Sequence, residues 1–431
     1  MPPVAPAPAH RTAETVVTVL GTDGRPLVDA DVTVAQRRHD LAFGCTGFDF
    51  VALANGEAGG GPDSTFGGAP AEQAADLAEL WLDLFDTATL PFYWRGFEPE
   101  PGRPDTARLR AAARWFDERG VRVKGHPLMW HTLAPRWLLD RPTDEVERLQ
   151  RARITREVGD LAGLVDTWDA INEVVIMPVF TAEENAISRL AWEKGRLHVI
   201  RLAFETARAA NPRATLLLND FDMSTAYECL VEAVLEAGIQ VDGLGLQSHM
   251  HQGWWGEEKT HRVLERFSRF GLPLHFTETT LVSGELMPRE IVDLNDYRVA
   301  SWPSTPEGEA RQAEELARHC TLLAEHPAVR SMTYWGLADE GAWLGAPAGL
   351  VRADGTPKPA YHAMRDLVRG AWWYAPTTLR TDGSGRVVVS GWRGDYEVRA
   401  GDQVAPFVVG GAAATARLSG ELVRAGSVGL G

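Results

Sequence analysis

An alternation dominates this chain and limits what it can become. Eight short β-rich runs, at 41–44, 87–90, 121–125, 167–171, 215–219, 243–247, 274–277 and 329–334, alternate with longer helical stretches. Helical periodicity is clear at 106–119, 143–165, 190–210, 227–237 and 307–325. Asp105 and Thr305 stand where N-caps belong, and Gly120 and Gly238 where helices stop. Eight such units over roughly 330 residues predict an α/β fold, a (β/α)8 barrel. A doubly wound sheet is the competing arrangement. It would normally open with a Gly-rich turn of the GxGxxG type, and none follows the first run.

The two ends of the chain read differently from its middle. Thr15–Leu20 and Asp31–Ala35 alternate around Gly21-Thr-Asp-Gly24, which predicts a hairpin. Val387–Trp392, Asp395–Arg399, Pro406–Val409 and Ala414–Leu418 repeat the style. Neither end alone can bury a face, so a small β-sandwich-like module assembled from both is expected. The predicted organisation is a disordered Pro/Ala lead over 1–12, module strands over 13–38 and 376–431, and the barrel over 39–370. Such a module either stacks carbohydrate on Trp372, Trp373 and Trp392 or ties the termini together, and the second role is the commoner one.

Bulk properties remove several functions. A formal charge of −16 disfavours nucleic acid and anionic membranes as partners, because both demand basic surface. No apolar run reaches the ~20 residues that span a bilayer. The N-terminus has no basic segment followed by an apolar one, which leads us to expect a cytoplasmic protein, or a secreted one if a leader has been removed. Three scattered cysteines, Cys45, Cys229 and Cys320, suggest reduced buried thiols rather than a disulfide framework or zinc site. The glycine-rich stretch 56–68 lacks a following Lys-Ser/Thr and reads as a mobile surface loop, not a phosphate cradle. The sequence leaves oligomeric state open.

Chemistry in such a barrel gathers where the strands end. The third run leads into Gly125-His126-Pro-Leu-Met-Trp130-His131, the fourth into Asn172-Glu173, and the fifth into Asn219-Asp220-Phe-Asp222. The sixth leads into Gln247-Ser-His249-Met-His251, the seventh into Thr277-Glu278-Thr-Thr280 and the eighth into Trp335-Gly-Leu-Ala-Asp339. Glu173 and Glu278 therefore face one another across the mouth, the pair that glycosidic bond cleavage needs. One carboxyl must hold a proton, and a charged neighbour or apolar surroundings would raise its pKa. Asn172 could direct its amide to a sugar 2-hydroxyl, and Gln247 or His249 could orient Glu278. The pair His249-x-His251 lacks a third ligand at metal spacing, and no GxSxG elbow supports acyl transfer. Fifteen tryptophans offer faces on which sugars stack.

Gly125-His126-x-Leu-x-Trp130-His131, Trp168-Asp-x-x-Asn172-Glu173, Gln247-Ser-His249, Thr277-Glu278, Trp335-Gly and Pro357-Lys-Pro-Ala-Tyr361 resemble family 10 of the glycoside hydrolases, the endo-β-1,4-xylanase family. The resemblance covers about residues 40–368. It implies a retaining (β/α)8 enzyme without cofactor or metal, acting on a carbohydrate or glycoside substrate. Glu173 would be acid/base and Glu278 nucleophile. His126, Trp130, Asn172, Gln247, His249 and Trp335 would line the sugar subsites, with Trp94 and Arg95 added from the run after the second strand and Trp343 a weaker candidate.

Two departures bear on substrate. Family members usually carry a Glu-Asn pair and then a Lys after the second strand, gripping the non-reducing-side sugars. Here the run is Leu90-Pro-Phe-Tyr93-Trp94-Arg95, so Tyr93 takes the Lys position and Arg95 could only stand in from nearby. The usual Glu-Leu-Asp at the nucleophile is Glu278-Thr279-Thr280, which loses an acid. Changing such groups alters substrate more than chemistry. The expected function is thus a retaining β-glycosidase for xylo-oligosaccharides or a related β-glycoside. The alternatives are a glycosidase for a non-xylan glycoside or small aglycone conjugate, and a barrel that binds carbohydrate without turnover.

Overall fold

The computed structural model describes residues 7–58, 69 and 71–419. Most of the glycine-rich stretch, and residues 1–6 of the expected disordered lead, lie outside the described residues. The rest of that lead is ordered, by backbone bonds at Arg11, by the pairing of Thr12 with Trp392 and by the Arg11 side chain. Arg11 is buried, and its guanidinium donates to the carbonyls of Ala324, His326 and Val329 at 2.9, 2.8 and 2.8 Å. A planar fork can span the C-terminus of the helix Pro306–Glu325 and the start of the strand that follows it.

Strands β1 (Thr12–Leu20) and β2 (Asp31–His39) precede the barrel. The barrel strands are β3 (Ala42–Thr46), β4 (Thr87–Pro91), β5 (Arg122–His126), β6 (Thr167–Asn172), β7 (Thr215–Asp220), β8 (Gly243–Met250), β9 (Leu274–Leu281) and β10 (Val329–Tyr334). They run in order, and β10 closes in parallel onto β3 with Ser331 opposite Ala42 and Tyr334 opposite Cys45. All five residues of β3 and the last four of β5 are buried, as expected where helices cover the outside and side chains fill the inside. Gly125 is required by its neighbour on β6: a Cβ there would lie 2.1 Å from the Trp168 ring.

The expected helices form, but the one read over 143–165 ends at Asp160 and another is divided. The stretch read as a single helix over 190–210 is two, Ala186–Lys194 and Arg196–Ala210. Gly195 breaks it with φ at +90°, a conformation that only glycine adopts without strain. Thr305 caps its helix by accepting from the Gly308 amide at 3.0 Å, whereas Asp105 occupies its N-cap without bonding the backbone there.

Strands β11 (Thr377–Arg380), β12 (Arg386–Trp392), β13 (Gly394–Ala400), β14 (Gln403–Val409) and β15 (Ala413–Arg417) complete the module with β1 and β2. Its sheets are β12-β1-β15 and β11-β2-β13-β14, packed through Val17, Val19, Val34, Val389, Tyr396, Val398 and Val409. The predicted hairpin does not form, because β1 and β2 lie in different sheets. Both edges of β1 are already occupied, by β12 antiparallel and β15 parallel, so the chain turns at 21–24 and crosses to the opposite layer. Trp372 and Trp392 are buried at the junction with the barrel, where Trp372 stacks on Phe43 at 5.8 Å, and Trp373 packs against His39 at 5.2 Å. Their surroundings are those of the structural role, not of a sugar platform. Cys45 and Cys320 are buried as expected, but Cys229 is exposed because its side of the helix Thr225–Glu236 faces solvent. No helix among the described residues is long and apolar enough to cross a membrane.

Candidate active site

β6 delivers Glu173 and β9 delivers Glu278 to the same end of the barrel. Glu173 follows directly after β6 with φ at +56°, an unusual conformation for a residue with a side chain. Hydrogen bonds on either side hold it: the Asn172 amide donates to the Met129 carbonyl at 2.9 Å, and the Glu173 amide to the Asn219 carbonyl at 2.8 Å. The backbone is thereby turned to aim the carboxyl inward. One oxygen accepts from the Trp130 indole at 2.8 Å; the other accepts from the Asn172 and Gln247 side-chain amides, each at 3.3 Å.

Glu278 lies within β9, directly opposite Gln247 of β8. Its Oε1 accepts from Asn219 Nδ2 at 2.9 Å, and its Oε2 is 3.2 Å from His249 Nε2. His126 Nδ1 stands 3.9 Å from Oε1 and is itself held at 2.7 Å by Asp169, which also takes Lys124 Nζ at 2.6 Å. Asn219 is the hub of this floor. It bonds Glu278, donates to Asn172 Oδ1 at 2.7 Å, and accepts from the Thr277 hydroxyl at 2.6 Å.

These surroundings drive the two carboxyls apart. Burial, reinforced by the charge of Glu278, pushes Glu173 up to about 8. Burial pushes Glu278 upward too, but His126 and the His249 hydrogen bond outweigh it and leave this group below the usual carboxylate range. Near neutrality the site therefore holds one protonated acid and one ionised carboxylate. The buried Asp220 is likewise raised, to about 7, despite accepting from the Val175 and Asp222 amides at 3.0 Å each.

Aromatic rings enclose the pair. His126 lies 5.1 Å from Trp335 and 5.6 Å from Tyr93, and Tyr93 lies 5.5 Å from Trp130 and 6.0 Å from Phe48. Phe48, Tyr93 and Trp335, with Trp130 and Leu133 against them, form an apolar cluster distinct from the main core. Trp343 packs over His249 at 5.0 Å.

Of the residues singled out in the sequence, Glu173, Glu278, His126, Trp130, Asn172, Gln247, His249 and Trp335 come together. Gln247 serves Glu173 and Asn172, leaving His249 to bond Glu278. Trp94 and Arg95 do not join them. The Trp94 indole turns into the helical shell, donating to Glu98 at 3.0 Å beneath the Arg153 guanidinium, and Arg95 pairs with Glu183 and the Ala134 carbonyl. Sequence reasoning assigned no role to Asn219, Asp169, Lys124, Thr280 or Phe48. Asn219 ends its predicted strand beside acids, a usable signal; Phe48 follows its strand by two residues and carried none. Among the described residues no three His, Cys, Asp or Glu are grouped to hold a metal.

Comparison with known proteins matches residues 92–367 to the model of glycosyl hydrolase family 10. Endo-1,4-beta-xylanase B of Thermotoga neapolitana is 25% identical over 64% of this chain and 78% of that protein. The endo-1,4-beta-xylanase of Geobacillus stearothermophilus is 28% identical over 57% of this chain and 75% of that one. Among solved structures, xylanase 10B from Thermotoga petrophila, in complex with xylobiose, superposes with a TM-score of 0.60 at 22% identity, covering 77% of this chain and 94% of that one. A GH10 endoxylanase from a sugarcane soil metagenome gives a TM-score of 0.63 at 17% identity, covering 76% and 97%.

Proposed function

The chain belongs to glycosyl hydrolase family 10, and from that premise we propose that it hydrolyses β-linked xylo-oligosaccharides or a related β-glycoside by double displacement. Glu278, held ionised, attacks the anomeric carbon. Glu173, held protonated, gives its proton to the departing oxygen. The glycosyl ester that forms neutralises Glu278, which removes the nearby charge that raises Glu173 and lets Glu173 act as base toward water. His126, Asn172 and Gln247 surround the reacting sugar with hydrogen-bonding groups, and Trp130 and Trp335 offer faces for it to stack on. The observation that carries this reading is the placement of two buried carboxyls at one end of the barrel, Glu173 bonded by Trp130 and Gln247 and Glu278 by Asn219 and His249.

The apolar cluster of Phe48, Tyr93, Trp130, Leu133 and Trp335 favours a second reading of the substrate. Tyr93, at the position where the family usually carries a lysine, adds a ring to this wall, which suits a glycoside with fewer hydroxyls to satisfy on that side, or one carrying an apolar aglycone.

The test is a panel of nitrophenyl β-glycosides, xylo-oligosaccharides and xylan, with the product anomer followed by NMR. Retention is expected, and an inverted product would overturn the mechanism. Xylo-oligosaccharide cleavage selects the first substrate reading, and turnover of another glycoside with xylan untouched selects the second. Glu278→Ala should abolish turnover, with azide restoring rate and yielding the inverted azide adduct. Glu173→Ala should spare activated leaving groups while crippling ordinary glycosides; equal loss on both would count against its acid role.

A further inference from the structure

Beyond Glu278 the hydrogen bonding continues. His249 presents Nε2 to Glu278 Oε2 at 3.2 Å and Nδ1 to the Thr280 hydroxyl at 3.2 Å. The same hydroxyl lies 3.4 Å from Nδ1 of His251, which is buried and whose Nε2 has no partner. Thr280 comes from β9 and His249 from β8, where the strand pairing sets them opposite one another, and His251 follows directly after β8. Trp302 and Trp343 close over His251 at 6.1 and 5.2 Å.

A threonine hydroxyl has one proton to share between two ring nitrogens, so one ring must donate to it and the other accept from it. We propose that Thr280 and His251 are positioning residues that fix the His249 tautomer, the chain running from His251 Nδ1–H to Thr280 Oγ1, from the Thr280 hydroxyl to His249 Nδ1, and from His249 Nε2–H to Glu278 Oε2. The opposite direction would put a proton on the unpartnered His251 Nε2, and a buried N–H without an acceptor is the arrangement proteins most avoid. It would also turn a lone pair of His249 toward the Glu278 carboxylate. Burial, with His249 next, pushes His251 down to about 3, so this ring is uncharged over the enzyme's working range and has one proton to place. On the Nδ1 side of His249 no carboxylate takes part; a neutral hydroxyl and a second imidazole orient this ring.

This inference rests on Glu278 being the nucleophile. The ionisable groups facing Glu278 are His126 from β5, Asp169 and Glu173 from β6, His249 from β8 and Tyr93 beyond β4. The proposed chain touches only the His249 contribution.

Thr280→Val keeps the shape and removes the hydroxyl. It should lower kcat/KM ~10- to 100-fold, the scale of a lost hydrogen bond to a charged group. It should also move the acid limb of the pH profile upward, because Glu278 loses an aimed donor. Thr280→Ser should return both toward wild type. His251→Asn, whose amide can still donate to Thr280, should be milder than His251→Leu. Thr279→Val serves as control: its hydroxyl bonds Ser248 at 2.8 Å on the neighbouring rung, and losing it should leave the limb where it is. Imidazole ¹⁵N shifts read the tautomer directly, without turnover, and so separate this inference from the assignment of the nucleophile. An Nε2–H tautomer of His249 that is lost in Thr280→Val supports the chain. An Nδ1–H tautomer in the wild type, or an acid limb unmoved by Thr280→Val, overturns it.

Discussion

Asn219 occupies space that Gly245 leaves open: a Cβ on residue 245 would lie 2.2 Å from Asn219 Oδ1 and 2.8 Å from its Cγ. The two residues sit on the adjacent strands β7 and β8, directly opposite one another. The glycine allows the amide to lie flat over the barrel floor and reach Asn172 and Glu278 together.

Gly245→Ala should therefore displace Asn219 and damage catalysis. We expect a stability loss of ~1–3 kcal/mol, as for other overpacked interiors, and a fall in kcat/KM of ~10-fold or more. Thermal unfolding and kinetics on one protein preparation measure both. An unchanged kcat/KM would show that Asn219 does not help to hold the nucleophile.

The pH profile should be set by the separated carboxyls. Glu173 works in its protonated form and is raised to about 8, so kcat/KM should fall as pH rises through that value. Glu278 works ionised and is lowered, so the acid limb should lie below the ordinary carboxylate range. With a dinitrophenyl leaving group the alkaline limb should weaken, because the departing oxygen no longer needs a proton. Rate profiles on ordinary and activated substrates check the two limbs separately.

Phe48 probes the apolar wall. Aromatic pairs contribute ~0.5–1.5 kcal/mol beyond burial, so Phe48→Ala should raise KM for the preferred glycoside about 3- to 10-fold while kcat holds. Such a split marks contact with the substrate. A fall in kcat with KM unchanged would instead mean that the ring only supports Trp335.

Arg95 provides the contrast. Its partner Glu183 is partly exposed, as Arg95 itself is, and neither bonds the catalytic carboxyls. Arg95→Ala should cost no more than ~1 kcal/mol of stability and leave the glycosidase kinetics unchanged. A large rise in KM would return Arg95 to the sugar site.

Local patterns carried the barrel and most of its rim into view, since each strand announces itself and the residue after it is chemically distinctive. Glu173, Glu278, His126 and His249 were legible in this way. What stayed hidden depends on neighbours far off in sequence. Trp94 looks like a sugar platform until Glu98 and Arg153 claim it from the shell side. Strand β1 looks like half of a hairpin until β12 and β15 take both its edges. The bridging role of Thr280 needs His249 opposite it on the adjacent strand and His251 just past that strand's end, and the extension of β8 and β9 beyond their predicted ends supplies that placement. The break at Gly195 and the place of Asn219 at its strand end beside acids were locally encoded and overlooked.

The position of β1 has a consequence for the order of folding. As the chain leaves the ribosome, β1 emerges first, yet its partners are Arg386–Trp392 and Ala413–Arg417. Its backbone must wait unpaired while all eight barrel strands are made, because contacts so distant in sequence close late. Once they close, segments from either side of the barrel share one sheet. A chain cut short before residue 386 would carry an open, valine-rich β1 edge with nothing to cover it. Synthesis as far as Arg417 is in this way built into the fold as a condition for covering β1 on both edges.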